Sequence, residues 1–409
     1  MDILYVLLVL LIATRLAAEL AERLGQPALV GELVAGVLLG LAVHRWDRLF
    51  PVLSELTGSR VFDAVTDLGV FFLMLLAGLE LRPRDIARAS GKATLVAAGG
   101  MGLPLVLGCA YGWLALPDSP YKIAQSLFLG AALAITAVPV AVRVLMDTGA
   151  METRAGRLIV AAALIDDVLS LLLLAVLTGV IRGGGMMGPW EAVALVGKVA
   201  LFFAVATAVG RWVFPWAGRL LKASKADEFE LSMLLVGALA YAEMAEALGL
   251  HFILGAFFAG LFFLRRTVEP EVHAAILGKV RGLTTGFLAP IFFASIGLHL
   301  ELSALEAIPG LVLVLILLAT VGKVAGAGLG ARLAGLSARE SLVVGSAMNA
   351  RGAVELIIAD VALKAGLFDR PDPPPPEVAH VFSAVVIMAI ATTIATPLLL
   401  KGLLRKPVR

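Results

Sequence analysis

The stretch LIVAAALIDDVLSLLLLAVL at 158–177 carries two adjacent carboxylates, Asp166 and Asp167, in the middle of a run that is otherwise apolar for several turns. A carboxylate at the centre of a bilayer costs about 2.5–3.5 kcal/mol on insertion scales, so two side by side require compensating partners or a function. Neighbouring positions point about 100 degrees apart on a helix, so one group can face a cavity while the other faces a neighbouring helix. A counter-charge is available in LLATVGKVAGAGLG at 317–330, where Lys323 is the only cation among small residues that permit close helix approach. An ion pair between Lys323 and one of the aspartates is expected. Burial pushes a carboxylate towards its neutral form and a nearby ammonium opposes this, so the two acids can differ in proton affinity. An acid that either holds a proton or ligates a dehydrated monovalent cation makes the two ions compete for one place. That competition suits cation and proton exchange and requires no covalent chemistry, so an enzyme is not expected.

Further polar groups lie inside apolar segments. Arg351 and Glu355 are one helical turn apart and can pair with each other or compensate exposed helix dipoles. Thr136 can offer hydroxyl and carbonyl oxygens to a hard cation, or bond back to its own helix. Glu32, Asp67, Glu80 and Lys198 fall near segment ends or faces where snorkelling suffices. The five histidines fall at loops or helix ends and receive no role.

The elements that must position these groups are membrane spans. The chain of 409 residues is 60% hydrophobic and 16% charged, with a mean hydropathy of +0.98, which no soluble domain of this length hides in one core. A net charge of +2 gives no reason to expect a nucleic-acid partner. The lone Cys109 excludes an intrachain disulfide, and neither CxxC nor HExxH occurs. No cofactor is expected. The first apolar run lacks a basic leader and cleavage signature, and reads as a retained helix.

A spanning criterion of roughly 20 residues marks segments near 2–20, 27–43, 62–81, 93–115, 124–147, 157–182, 192–216, 229–248, 251–266, 281–300, 308–333, 340–365 and 379–402. These are about thirteen helices of an all-α, polytopic membrane protein. Lys and Arg in alternating loops number roughly 21 against about 7, which puts the N-terminus outside and the C-terminus in the cytoplasm. With the seventh span as linker, spans one to six and eight to thirteen form two inverted repeats. The fifth and twelfth spans then correspond, and both read as interrupted, by Pro139 in AALAITAVPV and by Gly352 in GSAMNARGAVELIIAD. A proline kink and an ordinary glycine are the plainer alternative. Paired interruptions in matching positions point to a midplane site.

Seven blocks in order carry a resemblance: GQPALVGELVAGVLLG at 25–40, LGVFFLMLLAGLEL at 68–81, ITAVP at 135–139, IDDV at 165–168, LGAFFAGL at 254–261, LAPIFFASIGL at 288–298 and MNARGAVEL at 348–356. On these the chain resembles the monovalent cation:proton antiporter-2 family, which includes NapA-type Na+/H+ antiporters and Kef-type potassium efflux proteins. The resemblance implies the NhaA/NapA-like fold, a homodimer, and two discontinuous helices crossing beside the paired aspartates. It also implies a dimerisation domain at 1–92 and 227–307, a core domain at 93–182 and 308–409, and a linker helix within 183–226. By motif, Asp167 resembles the residue that takes the transported ion or proton, Asp166 the partner of Lys323, and Thr136 part of the ion's oxygen shell. Relatives with this trio are electrogenic. Two departures stand out: Ala353 occupies a position that is acidic in the NapA-type pattern, leaving Glu355 as the nearby carboxylate, and no nucleotide-sensing domain follows the thirteenth span.

The expected function is exchange of Na+, or Li+, for protons across the inner cell membrane by alternating access, with the lipid bilayer, Na+ and H+ as partners. Asp166 and Asp167 would ligate the transported Na+, and Lys323, Arg351 and Glu355 would balance charge. A K+/H+ antiporter of the same fold and a passive cation channel are the alternatives.

Overall fold

The structure, a computed structural model, describes residues 3–45, 59–81, 91–183, 189–221, 228–263 and 270–404, and every regular element among them is helical. The basic loop segments 82–90, 222–227, 264–269 and 405–409, on which part of the charge asymmetry rests, lie outside the described residues. By length and composition eight of the described helices can cross a membrane, and shorter apolar helices occur at Ala28–Val43, Lys122–Ala134 and Phe252–Phe262. The outer surface is apolar where a soluble protein would be polar: Leu4, Leu16 and Leu114 are at least two-thirds exposed. Trp113, near one helix end, and Trp190, at the start of another, are also exposed, as interfacial aromatic anchors are.

The chain divides into two compact units. The first comprises Met1–Leu16, Ala35–Asp85 and Gly188–Leu298. It holds α3 (Arg60–Glu80), α8 (Pro189–Leu221), α9 (Phe229–Ala247), α10 (Phe252–Phe262), α11 (Pro270–Leu283) and α12 (Ala289–Leu298), together with parts of α1 (Ile3–Arg23) and α2 (Ala28–Arg45). Close crossing of α3 and α10 rests on Gly78 and Gly260, each set against the other helix's backbone with no room for a Cβ. Phe202, Phe203 and Phe258 stack edge to face beside it, and the Tyr241 hydroxyl donates to the Ala206 carbonyl at 2.9 Å. The tenth span differs from expectation: one π-helical segment, Thr284–Leu288, joins α11 to α12, so the helix begins at Pro270 rather than near 281. The reason is that PEVHAAILGKVRGL mixes charged and apolar residues, and a hydropathy window does not register such a helix.

The second unit comprises Ala17–Val34, Ile86–Met187 and His299–Arg409. Its helices are α4 (Gly91–Ala115), α5 (Lys122–Ala134), α6 (Val138–Asp147), α7 (Arg154–Arg182), α13 (Ala304–Ala307), α14 (Pro309–Leu333), α15 (Ala338–Ala347), α16 (Ala353–Lys364), α17 (Pro376–Ala379) and α18 (Val381–Leu404). Local chemistry fixes several starts. Thr153 Oγ1 accepts from the Gly156 amide at 3.0 Å to cap α7, and Ser337 and Glu340 form a reciprocal capping box at the head of α15. Helices α4 and α14 meet backbone to backbone at Gly99 and Gly326. Around that crossing Ala93, Val96, Ala97, Leu158, Ala162, Ala327 and Leu336 are buried together in one apolar cluster.

Within this unit the fifth and twelfth segments are each two helices with a break between them, residues 135–137 between α5 and α6 and residues 348–352, a turn followed by non-helical backbone, between α15 and α16. Pro139 stands in the first turn of α6, where its missing N–H costs nothing, instead of kinking a continuous helix. Glu32 does not snorkel: although it is only the fifth residue of α2, its side chain is packed in the protein and 5% exposed.

Candidate functional site: the crossing of two broken helices

An α-helix interrupted in the bilayer leaves backbone groups without partners, and these must be satisfied within the protein. The second unit does this by bringing its two breaks together. The Ala137 N–H donates to the Ala350 carbonyl at 2.8 Å, joining one break to the other. With that amide diverted and Pro139 lacking one, the carbonyls at the end of α5 lose their intrahelical donors. The Arg351 guanidinium takes their place: it donates to the carbonyls of Ala132 at 3.0 Å and Leu133 at 2.8 Å, and to that of Ile135. A full positive charge thus sits at the negative end of the α5 dipole. Thr393 of α18 holds the arginine's own backbone, accepting from Arg351 N–H and donating to Arg351 C=O, both at 3.2 Å. Gly352 supplies space, since a Cβ there would collide with Cβ of Ala137.

The charged residues gather around this crossing. Asp166, Lys323 and Glu355 have no exposed surface and Arg351 has 1%. Lys323 Nζ stands 3.7 Å from Asp166 Oδ1 and also donates to Thr136 Oγ1. Arg351 Nε is 3.7 Å from Glu355 Oε2, one turn along. The Thr136 hydroxyl, read in the sequence as an ion ligand, is therefore engaged by the ammonium. The arginine, read as pairing with Glu355 or compensating a helix end, does both.

Asp167 differs from its neighbour. It is only partly buried, and among the described residues it makes neither a hydrogen bond nor an ion pair. One acid thus stands beside a cation at 3.7 Å, and the other has no such neighbour among the described residues. Counting all five groups as ionised, three carboxylates face two cations, which leaves one negative charge in excess. A single proton or a single monovalent cation cancels it.

Two polar side chains here were not singled out in the sequence. Ser170 lies one turn beyond Asp166, 1% exposed, and Asn349 in the second break is fully buried; neither side chain has a hydrogen-bond partner among the described residues. The i,i+4 spacing from Asp166 and the string MNARG were the available signals. No cluster of three or more His, Cys, Asp or Glu arranged for a resident metal exists among the described residues.

Comparison with known proteins agrees with this architecture. Residues 6–406 match the family model described as "Sodium/hydrogen exchanger, transmembrane". The chain is 31% identical to the "Na(+)/H(+)-K(+) antiporter GerN" of Bacillus cereus over 96% of its length and 94% of that protein's. It is 28% identical to the "Na(+)/H(+) antiporter" of Enterococcus hirae over 99% of each. Among solved structures it superimposes on the sodium proton antiporter MjNhaP1 from Methanocaldococcus jannaschii with a TM-score of 0.70 at 20% identity, covering 98% of both chains, which shows a common fold. Broken helices meeting beside an ionisable cluster, an all-helical apolar body and a match across almost the whole length lead to one conclusion: this chain belongs to the sodium/hydrogen exchanger family.

Proposed function

We propose that the chain is a secondary antiporter that exchanges Na+ for protons by alternating access, with Asp167 as the group for which the two ions compete. The observation that carries this reading is the contrast between the neighbouring acids: Asp166 is fully buried beside Lys323, whereas Asp167 is partly accessible and unpartnered among the described residues. Relatives named as Na+/H+ antiporters support the choice of ions.

In the proton-loaded form Asp167 is neutral and Lys323 is cationic, so the cluster carries no net charge. Arrival of Na+ at Asp167 expels that proton and draws Asp166 towards the metal ion. Lys323, losing its carboxylate, releases a second proton, and the loaded cluster then carries one negative charge. Two protons therefore move against one Na+, and the cycle is electrogenic. Thr136, freed from the ammonium, adds its hydroxyl oxygen to the ion's shell, and Arg351 and Glu355 hold the crossing. An empty cluster with Lys323 still neutral would carry two negative charges, one more than the Na+-loaded form, and is penalised more in crossing the low-dielectric barrier, which limits leak.

The same reading includes thirteen spans in two inverted repeats, an outside N-terminus, a cytoplasmic C-terminus, the inner cell membrane as location, and a homodimer. Residues 1–92 and 227–307 form its dimerisation domain, 183–226 its linker, and 93–182 with 308–409 its mobile core. Terminal tags probed by protease in inverted and right-side-out vesicles test the topology. The deciding experiment is Na+-driven dissipation of a pH gradient in proteoliposomes. Asp167→Asn reduces it to that of empty vesicles, and exchange at wild-type rate in that variant removes the assignment.

A K+/H+ antiporter is the second reading, favoured by the name of GerN, which includes K+. Competition between Na+ and K+ in the same vesicles separates the two. A passive cation channel would conduct without moving protons.

A further inference from the structure

Asn349 is the only asparagine in the chain of 409 residues, and it stands in the break between α15 and α16. Its side chain is fully buried, and neither the amide nitrogen nor the amide oxygen has a hydrogen-bond partner among the described residues. An unsatisfied buried amide is costly, so native proteins keep few of them, and each one needs a reason. Other buried polar groups of this unit find partners nearby. Thr178 and Thr392 donate to carbonyls one turn back on their own helices, and the Gln125 amide donates to the carbonyls of Leu367 and Arg370 at 3.0 and 2.7 Å.

The structural duties open to an asparagine at such a place fall to other groups. As a helix cap its oxygen would accept from a backbone N–H, yet the N-cap of α16 is Gly352, with no side-chain cap bond. Nor does the side chain hold the break closed. The Asn349 backbone N–H donates to the Ser346 carbonyl at 3.3 Å, and the Ala350 carbonyl accepts from Ala137. Thr393 holds the backbone of Arg351.

The chain on either side ties Asn349 to the charged cluster. Ala350 is bonded to Ala137, the neighbouring Thr136 meets Lys323, and Lys323 stands 3.7 Å from Asp166. Met348 is buried in the same apolar cluster as Ile159 and Ala162, in the part of α7 that leads to Asp166. Hard cations are bound by oxygen. A neutral amide oxygen adds to such a shell without altering the count of three carboxylates against two cations, so one monovalent ion still balances the cluster. Because residues 346 and 350 anchor the backbone on both sides, the oxygen is held in place, and ions of different radius do not meet it equally well.

We propose that Asn349 gives its side-chain carbonyl oxygen to the transported monovalent cation and thereby sets which cation the site prefers, an inference that rests on the antiport reading above.

The test uses Asn349→Leu, which is close in size and lacks both polar atoms. In buffer free of Na+, Li+ and K+, the full-length variant in detergent is at least as stable as wild type, because an apolar group replaces an unsatisfied amide. Added cation raises the melting temperature of the native state with concentration, which gives a midpoint for each ion. The Na+ midpoint rises about tenfold, equivalent to about 1.4 kcal/mol. The ratio of the Na+ to the K+ midpoint moves by at least about threefold, since one lost oxygen does not affect both ions alike. Apparent KM values in proteoliposomes shift in the same sense.

Midpoints that stay within about twofold of wild type, or that move by equal factors for both ions, overturn the ligand role. So does a fall of several degrees in ion-free buffer, which would show a structural role, and so does the absence of any cation-dependent stabilisation of wild type. Failure of the antiport reading looks different: there Asp167→Asn exchanges at the wild-type rate. If Asn349→Leu does not fold, Asn349→Ala is read in the same way, and failure of both to fold assigns the amide to structure and overturns the proposal.

Discussion

Ala137 and Ala350, separated by more than two hundred residues, share a backbone hydrogen bond of 2.8 Å that fastens the break in one interrupted helix to the break in the other. Because Arg351 also spans the two, donating to the final carbonyls of α5, the crossing is a single polar unit inside an apolar body. Separating its parts would strand carbonyls in a medium without water, each at a cost of about 1–3 kcal/mol.

The arginine should therefore be needed for folding before it is needed for transport. Arg351→Leu removes the donor to three carbonyls and leaves Glu355 without its cation. A loss of several kcal/mol is expected, read as a large fall in melting temperature or as loss of monodisperse protein on gel filtration. Wild-type stability in this variant contradicts the capping role.

Gly352 tests the close approach directly. A side chain there meets Ala137, so Gly352→Val should destabilise by about 1–3 kcal/mol through overpacking. Ala137→Gly in the same chain should restore part of the loss, and the absence of any coupling in this double-mutant cycle would refute the contact.

Lys323 separates stability from stoichiometry. Lys323→Gln leaves Asp166 buried without its cation, which costs about 3–5 kcal/mol for a broken buried pair. If the lysine carries the second proton, the variant exchanges one proton per Na+ and transport becomes electroneutral. Solid-supported-membrane currents should vanish while Na+-dependent proton movement persists. An unchanged charge per Na+ removes Lys323 from proton carriage.

Competition at one acid fixes the sign of the pH dependence. On the acid side, protons occupy the site, so the apparent KM for Na+ falls as pH rises. The slope is about tenfold per pH unit if one proton competes and about a hundredfold if two do. Measuring KM from pH 6 to 9 distinguishes these cases, and a pH-independent KM excludes competition.

Much of this was legible along the chain. Asp166, Asp167 and Lys323 each interrupt an apolar run, and a charge surrounded by leucine or glycine is a local signal that needs no neighbour to interpret. Pro139 and Gly352 likewise marked both breaks, since neither residue suits the interior of a helix. What failed to register was amphipathic or short: the start of α11 at Pro270, where charges dilute hydropathy, and the four-residue helices α13 and α17.

The sequence by itself determined the medium and the chemistry, because lipid solvation and the cost of a buried charge depend on composition and on runs of a few turns. The tertiary structure decided who meets whom. Arg351 reaches carbonyls 216 to 219 positions earlier, and Lys323 finds both Asp166 and Thr136. It also distinguished the acid beside the lysine from the one left unpartnered among the described residues, since a rotation of about 100 degrees on one helix has no meaning until other helices pack around it.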